Sequence, residues 1–201
     1  MKKLLWLLIF GAVLLWSGHQ PADRLTWFLE VLPAVLALVA LAATYRRFPL
    51  TPLLYGLILI HCIILMIGGH YTYAEVPLFN WIRDSFDLAR NNYDKVGHLA
   101  QGFIPAIVAR EILLRQHVIE GRAWLNSIIV CICLAISAFY ELLEWWVALL
   151  SGAAAEAFLG TQGYIWDTQS DMFLALLGSM LALLLLSRWH DRQIAAIQGR
   201  R

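Results

Sequence analysis

The sequence predicts an all-α protein: a polytopic bundle of six transmembrane helices with both termini in the cytoplasm. Three observations predict it. The 201 residues are 61% hydrophobic and 14% charged, with a mean hydropathy of +0.68, whereas soluble domains run nearer a quarter charged. The apolar residues gather into six runs, most of them near the ~20 residues that a helix needs to cross a hydrocarbon core. Lysine and arginine are distributed unevenly between those runs. The length suits a single integral membrane domain, 1–201.

The first run, about 4–18, is short and follows Lys2-Lys3, a pattern shared with signal peptides. No A-x-A-like site follows in Ser17-Gly18-His19-Gln20-Pro21, so it is expected to remain as an anchor. The second run is about 27–44. The break Tyr45-Arg46-Arg47-Phe48-Pro49 separates it from the third, 50–67. A long polar connection, 68–92, precedes the fourth span, 96–114. Within it, Arg83, Asp84 and Asp87 read as a solvated loop helix. The fifth span is 123–150 and the sixth 172–187, joined by Ser151–Trp166 with no Lys or Arg.

Six crossings put Lys2, Lys3, Arg46, Arg47, Arg110, Arg115, Arg122, Arg188, Arg192, Arg200 and Arg201 on one side. Only Arg24, Arg83, Arg90 and Lys95 fall on the other. The positive-inside rule then makes the first side cytoplasmic and the 68–92 loop external. Trp16, Trp27, Trp124 and Trp189 fall at span ends, where interfacial aromatics gather. A net charge of +1 offers no basic surplus for nucleic acid. Cys62, Cys131 and Cys133 lie in apolar runs and read as packing residues, not a disulfide framework.

Charged side chains near a bilayer are costly, so each marks a candidate site. Asp94 and His98, Glu141 and Glu144, and Asp167 and Asp171 are three or four residues apart, which places each pair on one helix face. Glu141 follows Ala123 by a helical rise of roughly 27 Å at 1.5 Å per residue. The fifth span thus delivers its carboxylates to the external end, level with those of the fourth and sixth. His70 closes the third span at the same end. Carboxylates held together repel, and a divalent cation relieves the repulsion. Asp94, His98, Glu141, Asp171 and His70 are the expected metal ligands. Mixed carboxylate and imidazole sets suit Zn, Mn or Fe, and all-carboxylate sets suit Mg. Glu144, Asp167 and Lys95 are expected as catalytic groups, the acids as a base or further ligand and Lys95 as a point charge for phosphate.

Plainer roles stand beside these. Asp94 and Asp167 suit helix N-caps. Glu144 can pair with Lys95 or face headgroups. His98 and His61 can be neutral hydrogen-bonding or packing residues. Tyr140, Trp145 and Trp146 suit core or interfacial aromatics.

The blocks Gly69-His70-Tyr71-Thr72-Tyr73, Asn92-Tyr93-Asp94-Lys95-Val96-Gly97-His98, Tyr140-Glu141-Leu142-Leu143-Glu144-Trp145 and Trp166-Asp167-Thr168-Gln169-Ser170-Asp171-Met172 resemble the YjdF-like family of bacterial inner-membrane proteins. The resemblance implies a multi-pass protein of that membrane and no particular reaction. A weaker likeness is to VanZ-like membrane proteins, in Asp94-Lys95-x-x-His98, Glu141 and Asp171 with Gly178. Ala175 stands where that pattern has Asn. This second likeness singles out Asp94, His98, Glu141 and Asp171.

Three functions are compatible with these residues. The first is a metal-dependent membrane hydrolase at the external face, acting on a lipid or lipid-linked substrate. The second is a non-catalytic scaffold or accessory protein. The third is an ion-coupled transporter, which is disfavoured by the expectation that no acidic residue lies in the cytoplasmic half of any span.

Overall fold

The computed structural model describes residues 3–151 and 161–199. Lys2, Arg200, Arg201 and most of the Ser151–Trp166 connection lie outside the described residues. Among those described, there are seven helices and no strand.

Helix α1 (Lys3–Gly18) is the short apolar run. Its Trp6 indole donates to the Tyr55 carbonyl at 2.7 Å and fixes it against the third helix. Helix α2 (Arg24–Thr44) begins earlier than expected because Asp23 caps it, accepting from the Thr26 N–H at 2.7 Å. That bond holds the Asp23 carboxyl below the usual aspartate range. Helix α3 (Pro52–Tyr71) starts with the Thr51 cap and a proline in its first turn, where the missing N–H costs nothing. It ends at Thr72, in the left-handed region at φ 61°. The chain then doubles back and lays the Tyr73 ring over Gly68, where a Cβ would stand 2.1 Å from it.

The 68–92 connection contains a short amphipathic helix, α4 (Pro77–Ser85). Its Leu78 and Trp81 are exposed, as is Phe86 just beyond it, while Phe79 packs edge-on against Tyr93. Apolar groups presented outward on a short amphipathic helix suit a membrane interface. The loop-helix expectation holds for Arg83 and Asp84, which pair with each other on the surface at 2.8 Å. Helices α5 (Tyr93–Arg115), α6 (Arg122–Ser151) and α7 (Asp167–Gln198) complete the bundle. The last runs well beyond the expected 172–187. Its two ends are amphipathic, burying Asp167 and Asp171 at one and His190 and Ile194 at the other, so hydropathy alone undercounts it.

Helices α2, α3, α6 and α7 are long and apolar enough to cross a membrane. Helix α1 is apolar but shorter. Helix α5 has 23 residues, with Asp94, Lys95, Arg110, Glu111 and Arg115 among them. Leucines at 79% and 59% exposure, Leu184 and Leu8, belong to an outward apolar surface that water would not tolerate. Trp16, Trp124 and Trp189 are exposed as interfacial residues should be. Trp27 instead turns inward and donates to the Ser17 hydroxyl at 3.1 Å.

Helices α5 and α7 run parallel in the tightest contact of the bundle. A Cβ on Gly102 would lie 1.9 Å from the Ala175 carbonyl oxygen, and one on Gly178 would lie 2.2 Å from that of Leu99. Small residues permit such backbone approach where hydrophobicity cannot drive helices together in lipid. We predict that Gly102→Ala and Gly178→Ala each lower stability by about 1–3 kcal/mol, the usual range for overpacking. Gly56→Ala, with nothing within 4 Å of the added atom, is expected to be harmless. Thermal unfolding of the three variants in detergent checks this.

Candidate metal centre

The close α5–α7 contact sets the first turns of both helices side by side. Asp94 and Asp167 lie inside those turns, and neither caps its helix. The cap positions are Asn92 and Trp166, without side-chain cap bonds. Asn91 organises the entry to α5. It is fully buried, accepts from the Tyr93 N–H at 3.0 Å, and donates to Asn80 of α4 at 2.7 Å. This holds the preceding Arg90 against α7.

Two cations knit the helices together. Arg90 Nη1 donates to Asp167 Oδ1 at 2.6 Å. Lys95 Nζ donates to Asp167 Oδ1 at 2.9 Å, Ser170 Oγ at 2.6 Å and Asp171 Oδ1 at 2.6 Å. Lys95 is therefore committed to α7 and does not pair with Glu144, nor does it stand free for a phosphate. Asp167 is likewise engaged by both cations.

Behind this layer lies the histidine group. His98 Nε2 is 3.3 Å from Asp94 Oδ1 and 4.0 Å from Asp171 Oδ2. Its other nitrogen, Nδ1, is 3.0 Å from Gln101 Oε1 and 3.9 Å from Glu141 Oε1. The structure thus brings Asp94, His98 and Asp171 together, each offering one ligand atom within 4.8 Å of the others. Glu141 faces the opposite ring nitrogen. His70 is not brought to the group. Its Nδ1 lies 2.9 Å from the Ser17 carbonyl, and its ring packs on Trp16 and Tyr71. It sits in the last turn of α3, on the side that meets α1.

Two of the three pairs have the spacing that a shared cation requires. Two donors ~2.1 Å from one ion are at most ~4.2 Å apart, and both His98 Nε2 distances fall within that. Two carboxylate oxygens, Asp94 Oδ2 and Glu141 Oε1, are buried without a hydrogen-bond partner. Asp94 Oδ2 has only ion pairs, at 3.6 Å to Arg90 and 3.9 Å to Lys95.

A cavity of about 150 Å³ adjoins the group, lined by Glu30, Tyr73, Asp94, His98, Tyr140 and Glu144 among others. Glu30 escaped the sequence reading although it is a carboxylate within the second span, which is itself the signal. Tyr140, expected as a plain aromatic, donates its hydroxyl to Glu30 Oε2 at 2.9 Å. Trp145 and Trp146 face outward as expected.

A second polar cluster lies at the other end of α5 and α7. Glu111, fully buried, accepts from Thr51 Oγ1 at 2.7 Å and Arg115 Nη1 at 2.5 Å, and lies 2.9 Å from His190 Nε2. Arg110 bridges His190 and Asp191. This overturns the expectation that the carboxylates of the spans lie only at the other end. Glu111 sits between Arg110 and Arg115, and that basic context reads as a solvated helix end. Its burial arises only when α7 extends past 187. We predict that Lys95→Met, which leaves Asp171 and Asp167 underpaired in the interior, lowers stability by ~3–5 kcal/mol. Tyr140→Phe, which removes one donor from Glu30, is expected to cost ~1–3 kcal/mol. Denaturant titration in micelles measures both.

Two comparisons bear on the whole chain. Residues 2–192 match the family described as predicted membrane protein (DUF2238). The chain is 53% identical over 182 residues to the inner membrane protein YjdF of Escherichia coli (strain K12), covering 90% of this chain and 87% of that protein. No solved structure matches it. The resemblance seen in the sequence blocks therefore holds along nearly the full length, and the chain belongs to the YjdF (DUF2238) family of multi-pass inner-membrane proteins.

Proposed function

We propose that this protein is a metal-dependent membrane enzyme, a hydrolase acting on a lipid or lipid-linked substrate at one face of the bilayer. The observation that carries this reading is the buried Asp94–His98–Asp171 group, beside which one carboxylate oxygen of Asp94 and one of Glu141 lack a hydrogen-bond partner. A divalent cation bound there supplies Lewis acidity and an acidic water. The residues prepare that position. Gln101 Oε1, as acceptor for an Nδ1–H, leaves the Nε2 lone pair free, the usual way in which a ligating imidazole is oriented. Lys95 holds one oxygen of Asp171 and turns the other toward His98. Glu141 and Glu144 are the carboxylates available as a base, and Asp167 is taken up by its ion pairs with Arg90 and Lys95.

We further read six crossings, with α1 and α5 joining the four longer spans, and both termini cytoplasmic. The Lys and Arg distribution supports this orientation, which sets the Asp94 group at the periplasmic side.

A second reading, a non-catalytic scaffold, is favoured by the engagement of Lys95 with α7 and by the placement of His98. Doubly protonated, His98 would donate to Gln101 and pair with Asp94 without a metal. Glu111 removes the depth argument against a transporter. The space between the two polar clusters is nonetheless lined mainly by apolar side chains, which offer an ion no ligands. Elemental analysis of detergent-purified protein separates the first two readings. The enzyme reading predicts a stoichiometric divalent metal that is lost in Asp171→Asn and Asp94→Asn. A wild type free of metal after growth and dialysis with Zn, Mn, Fe and Mg sinks it.

A further inference from the structure

A groove of about 730 Å³ lies between α2, α3, α5 and α6. It runs from Thr44 and Gln116 at the Glu111 end to Pro33 and Pro105, and its wall is apolar apart from Thr44, His61 and Gln116. Along α5, from Pro105 to Gln116, it spans roughly 16 Å at 1.5 Å per residue. Apolar cavities of this kind exclude water. Pro33, His61, Leu65, Pro105 and Ile136 wall both this groove and the 150 Å³ cavity beside His98, so the two spaces adjoin. The smaller one carries the carboxylates of Glu30, Asp94 and Glu144. Among the described residues no Lys or Arg lines it, and Arg90 and Lys95 are drawn to Asp167 on α7. Tyr73 and Tyr140 also line it, and aromatic side chains can attract organic cations.

We propose that groove and cavity form one site for a lipid with an ammonium head, its hydrocarbon chain in the groove and its amine among Glu30, Asp94 and Glu144. Charge complementarity selects the head, and the shared wall of the two spaces brings an apolar groove and an acidic cavity within reach of a single amphiphile. The inference rests on the reading of this site as one that handles a lipid, and it names the class of that lipid. Asp94 and His98 belong to both the cavity and the candidate metal group, so a head held there presents its linkage to that group.

Photolabelling in phosphatidylglycerol vesicles tests it, with three sixteen-carbon probes bearing a mid-chain diazirine: an amine, an alcohol and a phosphate. Adducts on groove residues are normalised to those on bilayer-facing Leu184. The amine is expected to label the groove about tenfold more than the alcohol, a factor equal to ~1.4 kcal/mol. Glu30→Gln and Glu144→Gln, tested separately, reduce the amine to the level of the alcohol. Ala109→Trp, which fills the groove, removes groove adducts for every probe. Equal labelling by amine and alcohol, stronger labelling by the phosphate, or adducts confined to the bilayer face each overturn the proposal. Metal content is measured on the same preparations. Bound metal with no amine preference removes this inference alone, whereas amine preference without metal removes the metal-dependent reading alone.

Discussion

The structure depends on an imbalance of buried charge. At one end of the bundle Glu30, Asp94, Glu141, Glu144, Asp167 and Asp171 are all buried, against Arg90, Lys95 and the imidazole of His98. Buried carboxylates are tolerated when paired or when they coordinate a cation. Arg90 and Lys95 account for Asp167 and for one oxygen of Asp171. The other carboxyl groups, Glu30, Glu141 and Glu144, gather around His98 and the cavity beside it. Whatever supplies positive charge there, a proton on His98 or a divalent ion, also sets what the site can do.

At the opposite end of the bundle one buried carboxylate is fully engaged. Glu111 has both oxygens engaged, by Thr51, Arg115 and His190, and Arg110 continues the chain to Asp191. That cluster ties the start of α3 to the ends of α5 and α7. Between the two clusters, Gly102 and Gly178 let α5 and α7 meet backbone to backbone. The pair is thus fixed in register at both ends and in the middle. A rigid pair of this kind holds Asp94, His98 and Asp171 at fixed separations, as a ligand set requires.

Much of this was legible in the sequence, for identifiable reasons. Hydropathy found the six apolar runs, and i, i+4 spacing found the Asp94–His98 and Asp167–Asp171 faces. Helix arithmetic then set Glu141 at the same depth. Other features depend on which helices become neighbours, and periodicity carries no such information. His70 shares the depth of the cluster, yet its side of the last turn of α3 meets α1 and leaves its ring against Trp16. Glu141 has the right depth but meets the far nitrogen of His98. Glu30 was visible as a charge within a span, and only the packing of α6 against it, through Tyr140, gives it a partner. Glu111 was masked by the arginines that flank it.

The central claim is that a divalent ion relieves the excess of buried carboxylate at His98. Anomalous diffraction tests it most directly, from crystals of the full-length protein grown with Zn²⁺, Mn²⁺ or Fe²⁺, with data collected at each absorption edge. The account predicts a single strong anomalous peak ~2.0–2.2 Å from His98 Nε2 and from an oxygen of Asp94 and of Asp171. No peak at any edge, with His98 Nε2 in hydrogen-bond contact with Asp94, would contradict it and leave an imidazolium as the compensating charge.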